Sequence, residues 1–157
     1  MRLLSLFSVL ALSLAAAFAQ KPAAKPPPAP GAMLYVGALP NKILVIDEAQ
    51  EKVVDQITLQ TGVPRGVTLS PDKKRLYVTT PKDSGIEVVD LAARKVVDHF
   101  VLNEGNRRVR IHGLAAEPEN CVLYVTFSAA VKQVDRLELE KPKFGVIDLA
   151  RKRIVKN

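Results

Sequence analysis

The sequence predicts an all-β chain made of repeated units of four short antiparallel strands, and its internal repeats predict it. The tripeptide Leu-Tyr-Val occurs at Leu34-Tyr35-Val36, Leu76-Tyr77-Val78 and Leu123-Tyr124-Val125. Each copy is followed by an apolar pair closed by aspartate, at Val45-Ile46-Asp47, Val88-Val89-Asp90 and Val146-Ile147-Asp148. A basic residue and two β-branched ones come next, at Lys52-Val53-Val54, Lys95-Val96-Val97 and Arg153-Ile154-Val155. From Gly66 to Gly113 the offset is 47 residues, and it holds through Pro118 and Tyr124. A period in the forties with four short strands per unit is that of a β-propeller blade.

Residues 66–102 form the complete unit, with strands GVTLS, RLYVTT, GIEVVDL and KVVDHFVL. Each is too short for a helix and rich in Val, Ile, Leu and Tyr. Ile86, Val88 and Val89 make one run apolar on both faces, as expected of a strand covered from both sides. The preceding unit, 33–59, has three strands and no innermost one; the complete blade occupies 64–102, and a third with an inserted loop occupies 110–157. The chain thus supplies roughly two and three-quarter blades. Asp47, Asp90 and Asp148 each end a strand, where a carboxylate can accept hydrogen bonds from the N–H groups just ahead and fix the turn. Pro71 and Pro118 pre-set φ between the first and second strands.

The pattern Pro64-Arg65-Gly66-Val67, Ser70-Pro71-Asp72, Arg75-Leu76-Tyr77-Val78-Thr79 and Val88-Val89-Asp90 resembles the YVTN-repeat family of β-propellers. The resemblance covers residues 33–157, with Ala38, Thr80 and Phe127 near the place of the motif's final Asn. It implies an exported propeller, typically seven-bladed, whose last segment commonly supplies the strand the first blade lacks. It implies no particular activity.

Ahead of the repeats, Met1-Arg2, the apolar run 3–16 and Ala17-Phe18-Ala19 have the form of a signal peptide (1–19) cleaved after Ala19. The run is shorter than the roughly 20 residues a spanning helix needs, so no stable membrane span is expected, and the chain should be periplasmic or secreted. Residues 20–32, QKPAAKPPPAPGA, read as an extended Pro/Ala linker. Net charge is +7 and falls to about +6 without Arg2. Cys121 is the sole cysteine, which excludes an internal disulfide; at the start of an apolar strand it reads as a small buried hydrophobe.

A propeller blade needs a neighbour on each face, and an arc of three leaves two faces bare. About three large apolar side chains per bare face, at ~1.5–3 kcal/mol each, amount to a loss on the order of 10 kcal/mol. That rivals the ~5–15 kcal/mol stability of a whole domain. The expected partners are therefore further blades, from the same longer protein or from other chains.

The units differ by two insertions. One lies between Leu102 and Gly113 and carries Arg107, Arg108 and Arg110; the other falls within SAAVKQVDRLELEKPK, between Phe127 and Val146. Both connections emerge on one face of the disc, as loops of a binding surface do. Arg65 and His112 each stand just before the glycine that opens an innermost strand. With Arg107, Arg108 and Arg110 they would form a cationic rim suited to anionic groups, such as a small molecule or polymer. His99 falls on an outer strand, at the surface.

The two histidines and one cysteine make no spaced metal-ligand cluster, so no metal or cofactor is expected. There is no phosphate loop, no Gly-x-Ser-x-Gly elbow and no Ser–His triad spacing, so no catalytic residue is assigned. The absence of Trp removes the repeats of quinone-cofactor propellers and WD40 proteins. Glu138 and Glu140, beside Arg136 and Lys141, read as a solvated hairpin edge. The basic stretch 107–110 lacks aromatics for base stacking, so nucleic acid is not an expected partner. The resulting expectation is an exported binding or scaffold module for a protein or an anionic ligand. The alternative is a piece of a propeller enzyme, either a lactonase-like hydrolase or a periplasmic dehydrogenase subunit.

Overall fold

The computed structural model describes residues 31–81, 84–119 and 121–156; the expected signal peptide and most of the linker lie outside them. The described residues form twelve strands and no α-helix. They are β1 (Met33–Ala38), β2 (Lys42–Asp47), β3 (Lys52–Thr58), β4 (Gly66–Leu69), β5 (Arg75–Thr80) and β6 (Gly85–Asp90). After these come β7 (Lys95–Val101), β8 (Arg107–Ala116), β9 (Val122–Lys132), β10 (Leu137–Leu139), β11 (Lys143–Asp148) and β12 (Arg153–Lys156). Three antiparallel sheets result, with orders β1-β2-β3, β4-β5-β6-β7 and β8-β9-β11-β12; in the third, β10 also pairs with β9. Among the described residues no helix is long and apolar enough to cross a membrane.

The internal repeat is reproduced in backbone register. Leu34 stands opposite Ile46, Leu76 opposite Val89 and Leu123 opposite Ile147; Tyr35, Tyr77 and Tyr124 stand opposite Val45, Val88 and Val146. The next strand pair carries a register shift at the same place in every sheet, skipping Val54, Val97 and Val155. The turn between these strands is also repeated. Asp47 accepts from the N–H of Ala49 and Gln50, Asp90 from Ala93 and Asp148 from Arg151. Four residues after each Asp, Glu51, Arg94 and Lys152 adopt positive φ. The recurrent aspartates therefore close turns, and the carboxylate offsets the left-handed residue that completes each one.

The second sheet lies between the other two. One core joins Ile43, Val45, Ile57 and Leu59 of the first sheet to Leu76, Val78 and Val89 of the second. The other joins Tyr77, Ile86, Val88, Phe100 and Leu102 of the second to Leu123, Val125, Phe127 and Ile147 of the third. Ile86, Val88 and Val89 are all buried, as a run apolar on both faces requires. Outward-facing Leu34, Val36 and Val53 on the first sheet, and Tyr124, Phe144 and Val155 on the third, stay exposed.

Polar struts tie the stack together. Glu87 is wholly buried on β6 and accepts from the N–H groups of Gln60 and Thr61 and from the Thr61 hydroxyl. Arg94 of the second sheet pairs with Asp55 of the first at 2.6 Å, and Lys152 of the third with Asp98 of the second at 2.7 Å. A compensating exchange marks the third sheet. Phe127 occupies the register position of Thr80, and Gly145 that of Glu87; a Cβ on Gly145 would lie 2.8 Å from the Phe127 ring.

Two sequence expectations are corrected. The insertions are not loops: Arg107–Ile111 extends β8, residues 128–132 extend β9, and Leu137–Leu139 forms β10 on the side of β9 opposite β8. Val109 and Ile111 face the core while Arg108 and Arg110 face solvent, an alternation that makes this basic segment a strand. Cys121 is exposed, because it lies in the β8–β9 turn, one residue ahead of the strand.

Candidate functional site

The lengthened strands build one wall of an open cleft of about 810 Å³, whose other wall is the end of the second sheet around Thr80 and Pro81. Arg65, in the β3–β4 connection, is exposed and anchored through its N–H to the Thr79 carbonyl at 2.8 Å. Arg108 and Arg110 reach the same cleft from β8, with Ser84, Asn103 and Ser128 between them and Ala129 and Leu139 as apolar lining. The Ser84 hydroxyl donates to the Val109 carbonyl and Asn103 Oδ1 accepts from the Val109 N–H at 2.8 Å, which fixes β8 against the second sheet. Arg108 donates to the Gly105 carbonyl at 2.6 Å. Among the described residues no ion pair engages Arg65, Arg108 or Arg110, so their charges remain available to an anion.

The other two expected site residues lie apart from these three. Arg107 points to the opposite face of β8, over the Phe127 ring, and binds Glu140 through two hydrogen bonds of 2.6 and 3.1 Å. Lys143 adds a third contact at 3.1 Å. Hydrogen bonds from Arg107 and then Lys143 hold the Glu140 carboxyl at about 2, while Glu140 raises the Arg107 guanidinium above its ordinary value. Arg107 is therefore already neutralised, and Glu140 belongs to this pair rather than to a solvated edge with Lys141. Glu138 does lie exposed at the edge, paired with Arg136 at 2.8 Å.

His112 is not before the strand but within it, as the extra residue of a bulge between Ile111 and Gly113. Its Nε2 lies 2.8 Å from Ser128 Oγ, and both belong to neighbouring strands. This is a Ser–His pair without a third member: among the described residues nothing orients the second imidazole nitrogen. His99 is exposed on β7.

Ser84, Asn103, Ser128 and Glu140 are the site residues that sequence reasoning missed. The available signal was the period-two pattern of Arg107–Ile111, which places a strand there and brings its neighbours with it. Glu117, Glu119 and Cys121 gather their ligand atoms within 4.8 Å of one another. They form a turn in which the Glu117 N–H donates to the Val122 carbonyl at 3.2 Å, as the Ser70 N–H donates to the Arg75 carbonyl at 2.9 Å in the matching turn of the second sheet, and the Glu117 carboxylate accepts from the Cys121 N–H. That account needs no ion.

No known protein-family model matches this chain, and no curated protein does.

Proposed function

We propose that the three sheets are consecutive blades of a β-propeller of the YVTN-repeat type, and that the chain is an exported module that binds an anionic ligand. The blade reading is supported by the shared registers, the shared bulge and turn, and the face-to-face order of the sheets. Export is inferred from the signal-like residues 1–19.

One observation carries the binding reading: Arg65, Arg108 and Arg110 converge from two elements on one cleft with no ion pair among the described residues, while the neighbouring Arg107 is spent on Glu140. Guanidinium groups present planar donor pairs that match phosphate, sulfate and carboxylate groups. A hydrolase reading would need an oriented base, and among the described residues nothing orients the second nitrogen of the His112 imidazole. Retention on dextran sulfate resin in a salt gradient tests the proposal. Arg65→Ser/Arg108→Ser/Arg110→Ser should elute at clearly lower salt than Lys52→Ser/Lys74→Ser/Lys95→Ser, which loses the same charge from exposed positions that do not line the cleft. Equal elution of the two variants would refute a localised anion site.

A further inference from the structure

We propose that the chain docks onto a second copy of itself, the outer face of the third sheet in one copy seating on the outer face of the first sheet in the next. The repeat itself supports this. Leu76, Val78 and Val89 seal the second sheet against the first, and Tyr77, Ile86 and Val88 seal it against the third. The register counterparts of the former trio on the first sheet are Leu34, Val36 and Ile46; those of the latter on the third sheet are Tyr124, Phe144 and Val146. Leu34 and Val36 are 45% and 44% exposed, and Tyr124 and Phe144 are 39% and 58% exposed, their rings stacked at 6.0 Å. The two open faces are thus the two halves of a contact that the chain makes twice internally.

Charge identifies the occupant as this same chain. At each internal contact the positive-φ turn residue is basic and meets an Asp on the preceding sheet: Arg94 with Asp55, Lys152 with Asp98. At the open faces the matching turn residue is Glu51 and the matching strand residue is Lys156, both exposed. The polarity is reversed at both places at once, so complementarity is kept only when one open face meets the other. Such a contact is heterologous, closing into a ring or continuing as a filament.

Sedimentation velocity on the full chain, purified as its expressing host processes it, tests the proposal. Wild type should show concentration-dependent association. Glu51→Lys or Lys156→Glu should weaken it by roughly fivefold, and the double variant should restore it. Val36→Lys blocks one face and Phe144→Lys the other, both at already exposed positions; each alone should be monomeric, and an equal mixture should stop at dimers. A monomer at every concentration, association that ignores both charge swaps, or a mixture that stays monomeric would overturn the proposal. So would a foreign protein holding both faces of a chain that does not self-associate.

Discussion

Glu87 and Glu140 are two carboxylates with separate structural duties, and each gives a test. Glu87 is buried among apolar strands and holds the segment after β3 through two backbone N–H groups and a hydroxyl. Glu87→Ala leaves those donors without an acceptor and should lower unfolding free energy by about 3 kcal/mol in urea melts. Glu140 is held at about 2, below its ordinary 4.5, so the unfolded chain takes up its proton first as pH falls. Its contribution is complete above about pH 4.5 and disappears as pH drops toward 2. Melting temperatures of Glu140→Gln should accordingly sit below wild type at pH 7 and converge on it near pH 2. Asp55 and Asp72 are also lowered, by Arg94 and by Ser70, and lose stability in the same direction. Cys121 should react fully with a thiol reagent in native buffer; protection until denaturant is added would contradict its exposed position. At this scale the turn aspartates were legible because a carboxylate ending a strand has a local duty. Glu87 was not, because its partners are 26 and 27 residues away in sequence.

Strands were legible wherever apolar residues dominate, as in the three Leu-Tyr-Val copies, because burial selects them whatever surrounds them. The extension of β8 was read as a basic loop because its charges hid the alternation of Val109 and Ile111 with Arg108 and Arg110. The packing exchange in the third sheet was invisible for another reason: Phe127 and Gly145 meet only across β9 and β11, diagonally in a pairing that brings together residues distant in sequence. Gly145→Ala should cost about 1–3 kcal/mol through overpacking against the ring, read as a shift in urea midpoint. Adding Phe127→Leu should recover part of that loss if the ring is the obstacle, whereas a harmless Gly145→Ala would contradict the contact.

Across the whole molecule, three copies of one register are stacked so that the middle copy is covered on both faces and each outer copy on one. The cleft depends on this order, since Arg65 approaches from the connection into the second sheet while Arg108 and Arg110 stand on the third. The stack was legible from the 47-residue offset between Gly66 and Gly113, but the cleft was not, because its second wall is made by strands the offset does not describe. Local opening free energies follow burial and hydrogen-bond density. Amide hydrogen exchange in native buffer, at a dilution where the chain is monomeric, therefore tests the stacking most directly. Residues 75–80 and 85–90 of the second sheet should exchange slowest, and residues 33–38 and 153–156 at the two ends of the stack fastest. Protection of β1 or β12 equal to that of β5 and β6, or exchange-labile amides throughout β6, would contradict it.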